Sequence, residues 1–322
     1  MSKIKLVSCE LTNHCNLKCR HCYLDKNVSR ELSTQEWLEI FDVLKEYGVE
    51  HVTLTGGEPL TRIDIVKIVE KAKKNEFFCA ITTNGLLLSD EGARGLKSAG
   101  IDFVQVSIEG GEKYHDKIRG LGAYKGAIKA IERLDRNKIK FGTMTTLTKG
   151  NFNNIDTIVQ DLNNHSVTKI SFEKYLYTGK NDPDLTLRQD ELRTAFSNVK
   201  RISRLNKGLN ISINEPMKFL LFNRKKTNSY GGCLAGAYTC AISAHGKIKL
   251  CAKIPIEFGE VSLKNLSTLD KKPIIKKIVE REFDHGNCCS CPNLRACGGC
   301  RAEAYFHGNI LGSDPSCWIN HK

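Results

Sequence analysis

The sequence predicts an α/β fold: a partial (β/α)6 barrel followed by a small cysteine-rich domain. Three observations predict it. Six strand-like segments alternate with helix-like ones from Lys5 to Glu173, and repeated βα units imply a parallel sheet with helices outside it. Each strand has one apolar face and one small, polar face. Nine of the 14 cysteines fall between positions 233 and 317, where the alternation has faded.

The elements follow in order. Residues 5–11 read as the first strand. Residues 34–47 read as an amphipathic helix, with Ser33 or Thr34 offering the side-chain oxygen that caps it. A strand at 51–55 and a helix at 63–75 come next, then a strand at 77–83 and a helix at 90–99 that Gly100 ends. Strands at 102–108, 140–147 and 168–173 alternate with helices at 124–137 and 155–163. The period-2 reading puts Ser8, Glu10, Thr12, Thr53, Thr55, Thr82, Asn84, Gln105, Ser107, Glu109, Thr143, Thr145, Ser171 and Glu173 on one face. Val7, Cys9, Leu11, Val52, Leu54, Ile81, Val104 and Val106 lie on the other. A closed barrel usually fills its interior with bulky aliphatic side chains. A polar inner face predicts an interior that holds polar ligands; the alternative is edge strands facing water. Residues 175–230 carry no motif and bridge to the tail. A boundary near residue 225 divides the chain into a core with bridging region, 1–225, and a cysteine-rich domain, 226–322.

The composition, 40% hydrophobic and 26% charged over 322 residues, is globular. No apolar run approaches the length of a membrane span, and the first ten residues lack the apolar core of a signal peptide. A cytoplasmic protein is expected. Thiols stay reduced there, so the cysteines point to metal rather than to disulfides. The formal net charge of +13 suits acidic partners or simply a solvated basic surface. No RNA-binding module or interleaved basic–aromatic stretch points to nucleic acid.

Cys15, Cys19 and Cys22 form a Cx3Cx2C motif directly after the first strand. Three thiolates on one loop can hold three irons of a cubane and leave the fourth open, as a catalytic metal site requires. A structural zinc completed by His14 or His21 is the alternative. The loop's place at the C-terminal end of a parallel strand, where α/β active sites form, favours the cluster.

These residues resemble the radical S-adenosylmethionine superfamily. Thr55-Gly56-Gly57-Glu58-Pro59, after the second strand, is similar to the family's GGE motif. Glycines there let the backbone approach a ligand, and Glu58 offers acceptors to an ammonium. The resemblance implies that S-adenosylmethionine meets Gly56, Gly57, Glu58 and Pro59, then Ser107 and Glu109 at the end of the fourth strand. Arg119 would reach the methionine carboxylate, Tyr23 would stand beside the adenine, and Asn84 would complete the pocket. It also implies one-electron cleavage of S-adenosylmethionine to a 5′-deoxyadenosyl radical.

The tail contains Cys233, Cys240 and Cys251 around Gly246, then Cys288-x2-Cys291-x5-Cys297-x2-Cys300 and Cys317. It resembles the SPASM domain. That resemblance implies two fully ligated auxiliary clusters, one on Cys233, Cys240, Cys251 and Cys300, the other on Cys288, Cys291, Cys297 and Cys317. Three 4Fe-4S clusters are then expected in all, the auxiliary pair relaying electrons. Two zinc ribbons are the alternative for the tail. Cys9, Cys79 and Cys289 are left unassigned.

Members with such tails mostly modify peptides or proteins, so crosslinking or oxidative maturation of a ribosomally made peptide is the leading expectation. Ala252, after Cys251, stands where sulfatase-maturing members carry an aspartate, which argues against that activity. The first strand begins so early that a leader would be expected to bind elsewhere on the chain or to be recognised by a separate partner. A small-molecule enzyme is the second expectation: a haem-biosynthesis tetrapyrrole decarboxylase, given the run Cys297-Gly-Gly-Cys300-Arg301-Ala302, or a sugar-alcohol dehydrogenase. A non-enzymatic iron–sulfur or zinc protein is the third. Cluster chemistry requires an electron donor such as flavodoxin or ferredoxin. Glu10, Gln105 and Glu173 face the expected pocket, but no catalytic acid or base stands out.

Overall fold

The structure, a computed structural model, describes residues 4–24, 30–221 and 231–319. The proposed boundary near residue 225 lies outside them.

Six βα units open the chain. Strand β1 (Leu6–Thr12) is followed by α1 (Thr34–Tyr47), β2 (His51–Gly56), α2 (Ile65–Lys74), β3 (Phe78–Thr83), α3 (Asp90–Ser98) and β4 (Phe103–Ser107). Helices α4 (Glu112–Arg119) and α5 (Ala123–Arg136) then lead to β5 (Phe141–Leu147), α6 (Ile155–Asn164) and β6 (Lys169–Lys174). All six strands pair in parallel, in chain order.

Local chemistry sets these elements. Ser33 caps α1 through a capping box with Glu36, and Gly48 closes it in the left-handed region at φ 92°. Trp37, Phe41 and Leu44 of α1 are fully buried, with Phe41 edge-on to both Trp37 and Phe77. The apolar strand face, Val7, Cys9, Leu11, Val52, Leu54, Cys79, Ile81, Val104 and Val106, is buried under the helices as expected.

The sheet runs further than six strands. Helix α7 (Gln189–Leu205) precedes β7 (Asn210–Ile213), which pairs in parallel with β6. At the other end β8 (Thr239–Ile242) pairs in parallel with β1 and begins an antiparallel meander with β9 (Lys247–Lys249) and β10 (Glu257–Glu260). The result is one ten-stranded sheet in the order β10-β9-β8-β1-β2-β3-β4-β5-β6-β7. The cysteine-rich tail thus begins as sheet and ends in the short helices α8 (Leu263–Ser267), α9 (Pro273–Glu280), α10 (Leu294–Cys297) and α11 (Arg301–Phe306). Among the described residues, no helix is long and apolar enough to cross a membrane.

One expected strand face is out of phase. Ser107 pairs with Met144, and paired residues share a face. Met144 and Thr146 therefore point inward. Thr143 and Thr145 are buried on the other side, where the Thr145 hydroxyl donates to the Ile108 carbonyl at 2.6 Å. The run Thr-Met-Thr-Thr offers small polar residues on both faces, which hid the phase.

Candidate active site

The C-terminal ends of β1 to β6 enclose a cavity of about 320 Å³. Ser8, Thr53, Thr55, Thr82, Gln105, Ser107, Met144, Thr146 and Glu173 form its strand wall. Cys15, Cys19, Cys22 and Tyr23 close it from the loop after β1, with Gly56, Gly57, Glu58, Asn84 and Arg119 beside them. The topology brings together nearly every residue singled out in the core. Pro59 is buried in the turn that Glu58 caps, and Glu109 stands behind Arg119.

The glycines of Gly56-Gly57 serve the protein before any ligand. Gly56 adopts φ +124°, and a Cβ there would stand 2.2 Å from the Thr12 carbonyl oxygen; one on Gly57 would stand 2.2 Å from that of His14. The Gly57 and Glu58 amides donate to those carbonyls at 2.7 and 2.8 Å. The segment is zipped against the backbone that enters the cysteine loop. Glu58 is equally tied: its Oε1 accepts from the Leu60 amide (3.0 Å) and the Thr83 hydroxyl (2.7 Å), its Oε2 from the Asn84 amide (2.7 Å). Burial raises its pKa and these three bonds oppose the rise. A carboxylate has about four acceptor positions, so one remains for an ammonium. Asn84 donates from Nδ2 to Asn16 Oδ1 at 2.8 Å and so holds the cysteine loop to β3.

Glu109 and Arg119 form a buried ion pair. Arg119 Nε and Nη2 both donate to Glu109 Oε1, at 2.9 and 2.6 Å, and Nη1 stands 4.0 Å from Cys19 Sγ. The Nε edge of the fork is thus spent on Glu109, while the Nη1 end points to the thiols. Glu109 Oε2 accepts from the Thr146 amide at 2.7 Å. Burial opposes the charge of Arg119, and Glu109 with Cys19 outweighs it. Burial pushes the Cys19 thiol up to about 11 and Arg119 pulls it back. His21 stands 3.5 Å from Glu109 and is held neutral, its pKa lowered to about 3 by burial and Arg119.

A second cavity, about 280 Å³, adjoins the first across Tyr23, Leu24, Ala252 and Lys253. Two lysines that sequence reasoning missed reach this junction. Lys249 Nζ pairs with Glu10 at 2.9 and 3.0 Å, and Lys253 Nζ with Glu173 at 3.2 Å. Alternation could have found Lys249, because Ala241 pairs with it in β9 and with Ser8 in β1, on the inner face.

In the tail, Cys288, Cys291, Cys297 and Cys317 lie within electrostatic reach of one another. Cys233 is likewise close to Cys251 and to Cys300. Its amide donates to the Cys297 carbonyl at 3.1 Å, and Arg281 holds its carbonyl at 2.7 Å. Cys240 does not join them. It pairs with Val7 on β1 and shares the helix-facing side with Val7 and Cys9, 2% exposed. Lys249, by contrast, is in register with Ala241 and Ser8 on the inner face of the sheet. The Cys289 thiol donates to the Phe283 carbonyl at 3.0 Å, away from the quartet. No two of the 14 cysteines form a disulfide. Three thiols lining one wall beside a buried arginine and a carboxylate with an acceptor to spare fit a cluster and its chelating ligand. Among the described residues, no three His, Cys, Asp or Glu side chains are gathered around a point that could hold a single metal ion.

Residues 9–163 match the family model of the Radical SAM superfamily. The chain is 28% identical to Fe-coproporphyrin III synthase of Methanosarcina barkeri, over 99% of this chain and 89% of that protein. It is 26% identical to PqqA peptide cyclase of Granulibacter bethesdensis, over 97% and 86%. Among solved structures, Streptococcus suis SuiB bound to its precursor peptide SuiA superposes with a TM-score of 0.83 at 20% identity, covering 99% of this chain and 77% of that one.

Proposed function

From a chain that carries a radical SAM domain over residues 9–163, we propose a peptide-modifying enzyme that uses S-adenosylmethionine as its radical source. The observation that carries this is the convergence of Cys15, Cys19, Cys22, Glu58, Asn84 and Arg119 on one cavity. The three cysteines hold the cluster, which with S-adenosylmethionine supplies a 5′-deoxyadenosyl radical. Glu58 offers its remaining acceptor to the methionine ammonium, and the Nη1 end of Arg119 meets the carboxylate. Tyr23, between the two cavities, flanks the adenine. Ser107 and Glu109 complete the site. The adjoining cavity receives the substrate.

The charges of that second cavity favour a peptide. Two of its three lysines are matched by carboxylates, Lys249 by Glu10 and Lys253 by Glu173. Such a lining accepts a polar, near-neutral chain and offers little excess positive charge to a carboxylate-rich tetrapyrrole. Similarity to SuiB and to PqqA peptide cyclase points the same way. The tail cysteines would hold two auxiliary clusters, which would supply a path for the electron released by substrate oxidation, and a flavodoxin or ferredoxin would serve as electron donor. A second reading, oxidation of a tetrapyrrole side chain, is favoured by the similarity to Fe-coproporphyrin III synthase.

The test is 5′-deoxyadenosine formation by anaerobically reconstituted protein given dithionite and S-adenosylmethionine. Stimulation by the peptide fraction of host extract, lost in Cys15→Ala, supports the proposal. Stimulation by the small-molecule fraction alone moves the substrate to the tetrapyrrole reading. No cleavage at all sinks the radical-enzyme reading.

A further inference from the structure

Strand β6 ends at Lys174, which lines the active-site cavity yet places its ammonium among residues of the tail. Its side chain is 3% exposed. An ammonium has three donors, and this one has three partners. Lys174 Nζ stands 2.9 Å from Glu303 Oε1 on α11 and 3.5 Å from Asp314 Oδ1, and it donates to the Ser316 hydroxyl. Asp314, with 1% of its side chain exposed, is as fully engaged. Its Oδ2 accepts from the Cys300 amide at 2.7 Å, and its Oδ1 accepts from the Ser316 amide at 2.9 Å and the Ser316 hydroxyl at 2.6 Å. With Lys174 these fill the roughly four acceptor positions of a carboxylate. The Asp314 carbonyl accepts from the Cys317 amide at 3.1 Å. Gly299 lets the segments meet: a Cβ there would stand 2.8 Å from the Asp314 Cβ. One residue thus holds the backbone of both Cys300 and Cys317, and these fall in different sets of the two expected. A buried polar network whose members are all satisfied makes a rigid joint.

We propose that Lys174 is a positioning residue: through Asp314 it fixes the Cys300 and Cys317 loops to the end of β6, and so sets both auxiliary clusters in place relative to the active-site cavity. This rests on the reading above that the tail carries clusters. Without the ammonium, the buried Asp314 carboxylate loses its ion pair and is driven toward water. The Cys300 amide loses its acceptor as the carboxylate moves. One buried ion pair then carries the register between the cavity wall and both cysteine loops.

The test uses a parent whose first cluster is removed by Cys15→Ala, Cys19→Ala and Cys22→Ala together, reconstituted anaerobically with iron and sulfide. Two tail cubanes bring about eight irons per chain. Two readouts are taken, the EPR spectrum after dithionite reduction and amide hydrogen exchange. Lys174→Met is expected to shift the EPR signals of both clusters and to speed exchange about tenfold at Cys300 and at Cys317. Asp314→Asn keeps the shape and removes the charge. The same two changes are expected of it, and it carries the test if Lys174→Met does not fold. The double variant is expected to match the single ones, because all cut the same link. Parent-like spectra and exchange in the single variants overturn the proposal. So does a change confined to one cluster or to one of the two cysteines, or additive effects in the double variant. A parent that binds zinc, or no iron at all, defeats the tail-cluster reading itself, and its metal content reports this before any Lys174 variant is compared. Exchange at Cys300 and Cys317 needs no cluster and still tests the link.

Discussion

Replacing Arg119 by alanine tests the most strongly coupled pair in the site. Glu109 has 2% of its side chain exposed and Arg119 11%. Removing the arginine deletes both charge-assisted bonds to Glu109 Oε1 and strands a buried carboxylate. Breaking a buried pair from one side costs about 3–5 kcal/mol. Glu109 keeps the Thr146 amide on Oε2, so the lower end, about 3 kcal/mol, is expected. Glu109→Gln in the same chain removes the stranded charge and is expected to recover about 2 kcal/mol, leaving a residual loss from packing. The assay is urea unfolding followed by circular dichroism, under anaerobic conditions, on proteins matched for iron content. The double-mutant cycle isolates the pair. A loss below about 1 kcal/mol in Arg119→Ala, or additive effects in the double variant, refutes the reasoning. Arg119→Lys keeps a cation but loses the planar fork; stability is expected to stay closer to the parent while the KM for S-adenosylmethionine rises about tenfold.

Three further outcomes are expected. His115 is buried, accepts from the Glu109 amide through Nδ1 at 3.1 Å, and has its pKa lowered to about 4 by burial and Arg119. Its folded pKa lies below its unfolded one, so the unfolded state binds the proton first and stability falls as pH drops below about 6.5; at pH 5.5 the loss is about 1.4 kcal/mol, and His115→Gln is expected to flatten the unfolding midpoint between pH 7.5 and 5.5 relative to the parent. Gly57→Ala drives a methyl into the His14 carbonyl; about 1–3 kcal/mol of destabilisation and reduced iron in the first cluster, read by iron analysis in a variant lacking tail ligands, are expected. Ser33→Ala breaks the capping box of α1 and is expected to cost about 1 kcal/mol in thermal unfolding, with no change in the KM for S-adenosylmethionine.

Much of the site was legible because its signals are local. Cx3Cx2C and GGE name their own residues, and period-2 alternation placed Ser8, Thr53, Thr82, Gln105, Ser107 and Glu173 on the cavity wall. Where alternation was ambiguous it misled: Thr-Met-Thr-Thr on β5 carries no phase, and only pairing with β4 supplies one. Cys240 sits at a plausible interval from Cys233, but side-chain direction on β8 depends on its pairing with β1, more than 200 residues away in sequence. Lys253 reaches Glu173 through a long-range contact that no local pattern announces. The glycines of GGE were legible as a motif, yet their steric reason, contact with Thr12 and His14, appears only when β1 and β2 lie side by side.

Strand β8 lies against β1 along Leu6–Cys9, and this bears on how the protein can be divided. A fragment cut after residue 221 would retain Cys15, Cys19, Cys22, Glu58, Asn84 and Arg119, yet β1 would become an edge. Its unpaired amides and carbonyls would template another chain, and the helix-facing side chains of β8, Cys240 and Ile242 among them, would vanish from the cover over α1. Such a fragment is poorly suited to crystallisation or to domain swaps between relatives. A circularly permuted chain that keeps β8 beside β1 would preserve the pairing, so the natural unit for engineering is the continuous sheet rather than the run of sequence before the cysteines.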